Sequence, residues 1–93
     1  MKAMWNDTVI AQSDDTIVVE GNHYFPPDSI TKSYFSESDK RTTCFWKGEA
    51  HYFDITVADE RNEAAAWYYP EPKKAVQKIK DYVAFWHDVT ITD

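Results

Sequence analysis

Glycine occurs only twice in these 93 residues, at positions 21 and 48. No glycine-rich loop is therefore available to cradle a phosphate. Cysteine occurs once, at Cys44. A lone thiol excludes an internal disulfide and the paired Cys-x-x-Cys knuckles of structural zinc, and it suits a reducing compartment. His23, His51 and His87 are scattered, so neither a metal site nor a cofactor is expected. Apolar runs are short as well. Nothing approaches the roughly 18 residues of a membrane span, and Met1–Asp7 has no apolar leader core. The expectation is a cytoplasmic protein with no membrane partner. Positive charge is also scarce, with 10 Lys and Arg against 16 Asp and Glu for a net charge of −6. That balance repels a phosphate backbone, so nucleic acid is not an expected partner.

Aromatic residues, by contrast, make up 16% of the chain. They matter in a domain this small, because each buried ring removes a large apolar area from water. No repeat, linker or low-complexity tract divides the chain, so residues 1–93 read as one domain. Thr8–Ala11 and Thr16–Glu20, separated by Ser13-Asp14-Asp15, read as an opening hairpin. Gly21-Asn22 turns the chain into a short strand, His23–Phe25, stopped by Pro26-Pro27. Thr31–Phe35 reads as a strand and Ser36–Lys40 as a polar loop. Thr42–Trp46 and Ala50–Val57 read as strands about a bend at Lys47-Gly48. Ala64–Tyr69, Tyr82–Trp86 and Val89–Ile91 complete the strands. Lys73–Asp81 follows Pro72 and carries Ala75, Val76 and Ile79 as a short apolar stripe, which predicts the one α-helix. The fold class is thus mainly β: small folded-over antiparallel sheets with one short helix near residues 73–81.

The densest stretch is Thr43-Cys44-Phe45-Trp46-Lys47-Gly48-Glu49-Ala50, and a second aromatic run, Ala66-Trp67-Tyr68-Tyr69-Pro70-Glu71-Pro72, follows it. With Glu20-Gly21, Tyr24-Phe25-Pro26, Ser38, Tyr52, Ile79 and Tyr82-Val83-Ala84-Phe85, their order and spacing resemble the DUF427 family of small bacterial domains. The resemblance covers about Ala11 to the C-terminus. Phe45 stands where the family is expected to prefer proline, and Thr43 where relatives often carry histidine. The resemblance implies a β-tent, Mss4-like architecture of two antiparallel sheets meeting at an angle, and no assigned activity. Fold analogy does not carry function. The nucleotidyltransferase-like label sometimes attached to the family finds no support here, since a Gly-Ser phosphate turn and two closely spaced acids are both missing.

Several side chains are candidates for chemistry. Strand alternation puts Trp67 and Tyr69 on one face, and Cys44 and Trp46 on one face. If those strands are neighbours, Trp46, Trp67 and Tyr69, with Tyr24 at the edge, would wall a cleft for a planar ring or a cation. The same rings would equally serve to fill a small core. Lys47, set among apolar residues, must reach water or an anion. That anion is a ligand carboxylate or phosphate, or else Glu49 or Glu71. Ser38, with Thr42 and Thr43, offers hydroxyls to a pocket mouth or to loop capping. Cys44 is a nucleophile only if a cation lowers its pKa, and in a regular strand Lys47 points away from it. Lys73, Lys74, Lys78 and Lys80 form a basic patch that reads as a solvated face or an anion-facing one.

These readings converge on a small-molecule-binding domain for an anionic or planar ligand, with Trp46, Lys47, Trp67, Tyr69, Tyr24 and Ser38 as ligand contacts. Two alternatives stand beside it: an enzyme using Cys44 or Lys47 as the reactive group, and a pocketless module that offers edge strands to a protein partner. Monomer and homodimer are both compatible with the pattern. Thiol titration separates the alternatives. A catalytic Cys44 reacts fast with a pH-shifted profile in the native protein, whereas a packing Cys44 reacts only on denaturation.

Overall fold

A computed structural model describes residues 1–93. In chain order the strands are β1 (Lys2–Trp5), β2 (Thr8–Gln12), β3 (Ile17–Val19), β4 (Asn22–Tyr24), β5 (Phe35–Cys44), β6 (Gly48–Val57), β7 (Glu60–Tyr68), β8 (Val83–Phe85) and β9 (Thr90–Thr92). They form three antiparallel sheets: β2-β1-β9, the β3-β4 hairpin, and a central sheet β5-β6-β7-β8. The chain is mainly β, with no closed barrel. No helix is long and apolar enough to cross a membrane.

Tight turns set the registers. Asn6-Asp7, Glu20-Gly21 and Ala58-Asp59 join β1 to β2, β3 to β4 and β6 to β7, and all six residues have positive φ. Two positive-φ residues in a two-residue loop match the right-handed twist of the flanking strands. The β5-β6 hairpin turns differently, through Phe45, Trp46 and Lys47, closed by the Lys47 N–H donating to the Cys44 carbonyl at 3.2 Å. Gly48 then takes φ +118, and a Cβ there would lie 3.1 Å from the Glu71 carbonyl. Glycine is required on both counts.

The central sheet is buried on both faces. On one, Ile55, Ala66, Val83 and Phe85 pack against Ala3, Ile10, Ala11 and Phe25. On the other, Ala50, Tyr52, Tyr69 and Ala84 pack against Tyr24, Val76 and Ile79. Between Phe53 and Ile55 the pairing with β7 shifts register. Asp54, only 5% exposed, sits at that bulge. One carboxylate oxygen accepts the Ala64 N–H at 2.8 Å and the other accepts Arg61 Nη2 at 2.6 Å. Ala64 itself has φ +51. The carboxylate thus satisfies an amide that the bulge removes from the ladder.

Five local expectations are corrected. The opening hairpin is β1-β2, not Thr8–Ala11 with Thr16–Glu20, because the Asn6-Asp7 turn folds β2 back on β1, and β3 pairs with β4. Ser36–Lys40 is part of edge strand β5, with a bulge between Glu37 and Arg41, and Lys32–Tyr34 is a 3₁₀ turn where a strand was expected. Trp46 lies in the hairpin turn rather than on a strand. The helical segment falls at Lys74–Ile79, but as 3₁₀ turns kinked at Val76. A stretch this short cannot repay α-helix nucleation, and the 3₁₀ spacing of three brings Val76 and Ile79 together onto the second core.

Asp54→Ala should cost about 1–3 kcal/mol in urea unfolding, since it strands the partly buried Ala64 N–H. Arg61 is 60% exposed along its side chain, so Arg61→Ala should cost no more than about 1 kcal/mol. Equal losses in the two variants would contradict the bulge-filling role.

Candidate functional site

The second face of the central sheet gathers most of the residues singled out from the sequence. Lys47 is 8% exposed, and its ammonium pairs with the Glu20 carboxylate at the tip of the β3-β4 hairpin. Nζ also stands 5.4 Å from the Trp46 ring centre and 5.8 Å from that of Tyr69, within cation–π reach. Tyr24, fully buried, meets Trp67 edge-on at 6.2 Å and accepts its indole N–H at 3.2 Å. Cys44 is half-buried at the end of β5. Lys47 therefore takes neither Glu49 nor Glu71 as its anion but Glu20, 27 residues upstream.

These rings do not wall an open cleft. Tyr24 and Tyr69 are buried, Trp46 and Trp67 pack against the same core, and no cavity is lined by any of the four. Ser38 is elsewhere. It borders a charged hollow of about 490 Å³ with Asp54, Arg61 and His87, and its hydroxyl accepts the Lys40 N–H at 3.1 Å. Strand register puts His51 on the face opposite Cys44, and no three His, Cys, Asp or Glu side chains converge as metal ligands.

Burial opposes the charge on Lys47. The Glu20 hydrogen bond, with the Tyr24 and Tyr69 phenols behind it, outweighs that cost and raises the pKa above its ordinary 10.5. A lysine nucleophile needs the opposite displacement, so the geometry argues for a held cation rather than a reactive amine. Burial raises Tyr24 above 10.0 against the pull of Trp67 and Lys47, and it pushes Tyr69 up to about 12.

The first face offers what the second lacks. A hollow of about 340 Å³ opens there, with Phe35, Phe53, Tyr68 and Val83 on its sheet side. Register pairs Tyr68 with Val83, and Phe53 stacks on Tyr68 at 4.8 Å and meets Phe35 edge-on at 5.6 Å. Pro27 and Ile30 form a wall, and Lys32 and Asp81 border it. Backbone bonds fix that wall in place: Thr31 N–H donates to Ile10 at 2.9 Å, and Phe25 and Val83 exchange two bonds of 2.8 Å. The Tyr68 hydroxyl donates to the Glu37 carboxylate at 2.7 and 2.8 Å from its two oxygens. Burial first, then that hydrogen bond, pushes the Tyr68 pKa up to about 12. The sequence carries no signal for this hollow. Its walls come from segments far apart in the chain, and the space is defined by what does not cover the sheet.

Comparison with known proteins adds one finding. The profile of a family described as "Domain of unknown function (DUF427)" matches residues 1–92. No curated protein matches the chain.

Tyr24, Lys47, Tyr68 and Tyr69 all hold their protons more tightly when folded. Their contribution to stability is complete below the unfolded values of 10.0 for tyrosine and 10.5 for lysine. It is lost as pH rises through the raised folded values. Urea midpoints followed from about pH 8 to about pH 12 should therefore hold level and then fall beyond about pH 10, together with tyrosinate absorbance. A fall that begins well below pH 10 would assign the loss to other groups.

Proposed function

The chain belongs to the DUF427 family, a family of unknown function, and from its geometry we propose that the domain binds a small ligand with a flat, apolar body. One observation carries the reading. The 340 Å³ hollow is already formed and is lined mainly by apolar and aromatic side chains, with few polar groups. Cavities of that size and lining are the usual seats of small ligands. Ring faces and edges of Phe35, Phe53 and Tyr68 favour a planar guest over a branched one.

A second reading has its own support. The Lys47 ammonium is enclosed, yet its one ionic partner, Glu20, is 51% exposed along its side chain. A ligand carboxylate or phosphate that displaced Glu20 would meet a charge already framed by Trp46 and Tyr69. In this reading the anion enters at the second face, and the β3-β4 hairpin moves aside for it.

A thermal-shift panel of planar aromatic compounds and small anions tests both. Ligand at a hundred times its Kd stabilises the native state by about 2.7 kcal/mol. For a hit at the hollow, methyl NMR shifts should cluster at Ile30 and Val83, and Phe53→Leu should weaken binding while Lys47→Ala should not. The reverse pattern selects the Lys47 site. No stabilisation by any compound would overturn both and leave the domain as a protein-interaction module.

A further inference from the structure

We infer that the ligand of the hollow is an aromatic zwitterion, an α-amino acid with a flat side chain or a close analogue of one. The inference rests on the reading that the hollow binds a planar ligand and adds its charge.

Two charged side chains border the hollow, Lys32 and Asp81, and they are of opposite sign. Neither is used elsewhere. The ion pairs of the molecule are Lys47–Glu20, His51–Glu49 and Arg61–Asp54. Tyr68, the remaining polar side chain of the lining, already gives its hydroxyl to Glu37. The apolar sheet side therefore meets one unpaired cation and one unpaired anion at its border. Both are exposed, so neither charge is forced out of water in the empty protein, and each can close on a ligand group at modest desolvation cost.

The backbone under both charges is fixed. Lys32 opens the 3₁₀ turn Lys32–Tyr34, in which the Tyr34 N–H donates to Thr31 at 3.0 Å. Asp81 has φ +63, and its N–H donates to the Tyr69 carbonyl at 3.1 Å. A ligand whose ring lies against Phe53 and Tyr68 thus has at the border a cation for its carboxylate and an anion for its ammonium, each borne on fixed backbone. A ligand with only one charge leaves one rim group without a partner. A neutral ring leaves both.

Calorimetric titration with L-phenylalanine, phenylacetate, phenethylamine and benzyl alcohol tests the inference on the whole chain. L-phenylalanine should bind roughly tenfold tighter than either singly charged analogue, the order expected of one charge-assisted contact. Lys32→Ala should bring L-phenylalanine and phenethylamine to equal affinity, and Asp81→Asn should do the same for L-phenylalanine and phenylacetate. Both positions are exposed, and asparagine tolerates the positive φ of Asp81, so the variants should keep the fold. Benzyl alcohol binding as tightly as L-phenylalanine would overturn the zwitterion and leave the planar-ligand reading standing. A hit of another class at the hollow, such as a nucleobase, with no binding of these four, would do the same. No binding by any planar compound would overturn both.

Discussion

Strand β6 buries Ala50 and Tyr52 toward one side of the central sheet and Ile55 and Val57 toward the other. A strand of that kind must be covered twice, and 93 residues supply little to cover it with. The β2-β1-β9 sheet shields the first face, and the second receives only a short hairpin and a few 3₁₀ turns. Two small cores result in place of one large one. Small domains bury a low fraction of their surface in any case, and splitting the apolar material between two faces makes each cover thin. The hollow beside Phe53 and Tyr68 lies where the first cover stops short.

Lys47 solves the corresponding problem on the second face. Its ammonium stands beside the Trp46 and Tyr69 rings and reaches the hairpin that no long strand pairing secures. β3 and β4 share only three paired positions; Tyr24 anchors the hairpin in the second core, and the Glu20 contact ties its tip to the sheet. Removing Glu20 would leave an enclosed ammonium with no counter-charge, which is far worse than never having buried one. The same contact keeps the lysine protonated, and this separates it from the amines that attack carbonyl groups. The aromatic–lysine cluster is thus built first as structure, and any anion that used it would have to compete with a tethered carboxylate.

Much of this was legible in the sequence. The mainly β character, the strands around Ala50–Val57 and Tyr82–Trp86, and the special status of Lys47 all follow from alternation and from a cation set among apolar residues. The proximity of Trp46 to Trp67 and Tyr69 was expected only if their strands were neighbours; β6 separates β5 from β7 and Trp46 lies in the hairpin turn, yet the rings share the second core. The partner of Lys47 did not follow, because Glu20 is brought there by tertiary packing of a separate hairpin. Nor did the Asn6-Asp7 turn, which adopts positive φ with no glycine to announce it, and β1 was lost with it. The 3₁₀ form of Lys74–Ile79 was set by burial of Val76 and Ile79, not by propensity. Ser38 looked close to Lys47 in sequence order, but the extended run of β5 separates it from the hairpin turn and sets it at a different hollow.

The two faces are not independent, because consecutive residues at the end of β7 look in opposite directions. Tyr68 turns to the hollow and Tyr69 to Lys47. The Tyr69 carbonyl accepts the N–H of Asp81, the residue that gives the hollow its negative charge. One backbone bond therefore ties the border of the hollow to the residue that stands beside the Lys47 ammonium. The aromatic run Trp67-Tyr68-Tyr69 is thus shared between the open side of this domain and its closed one, with Tyr68 serving the hollow and Trp67 and Tyr69 the second core.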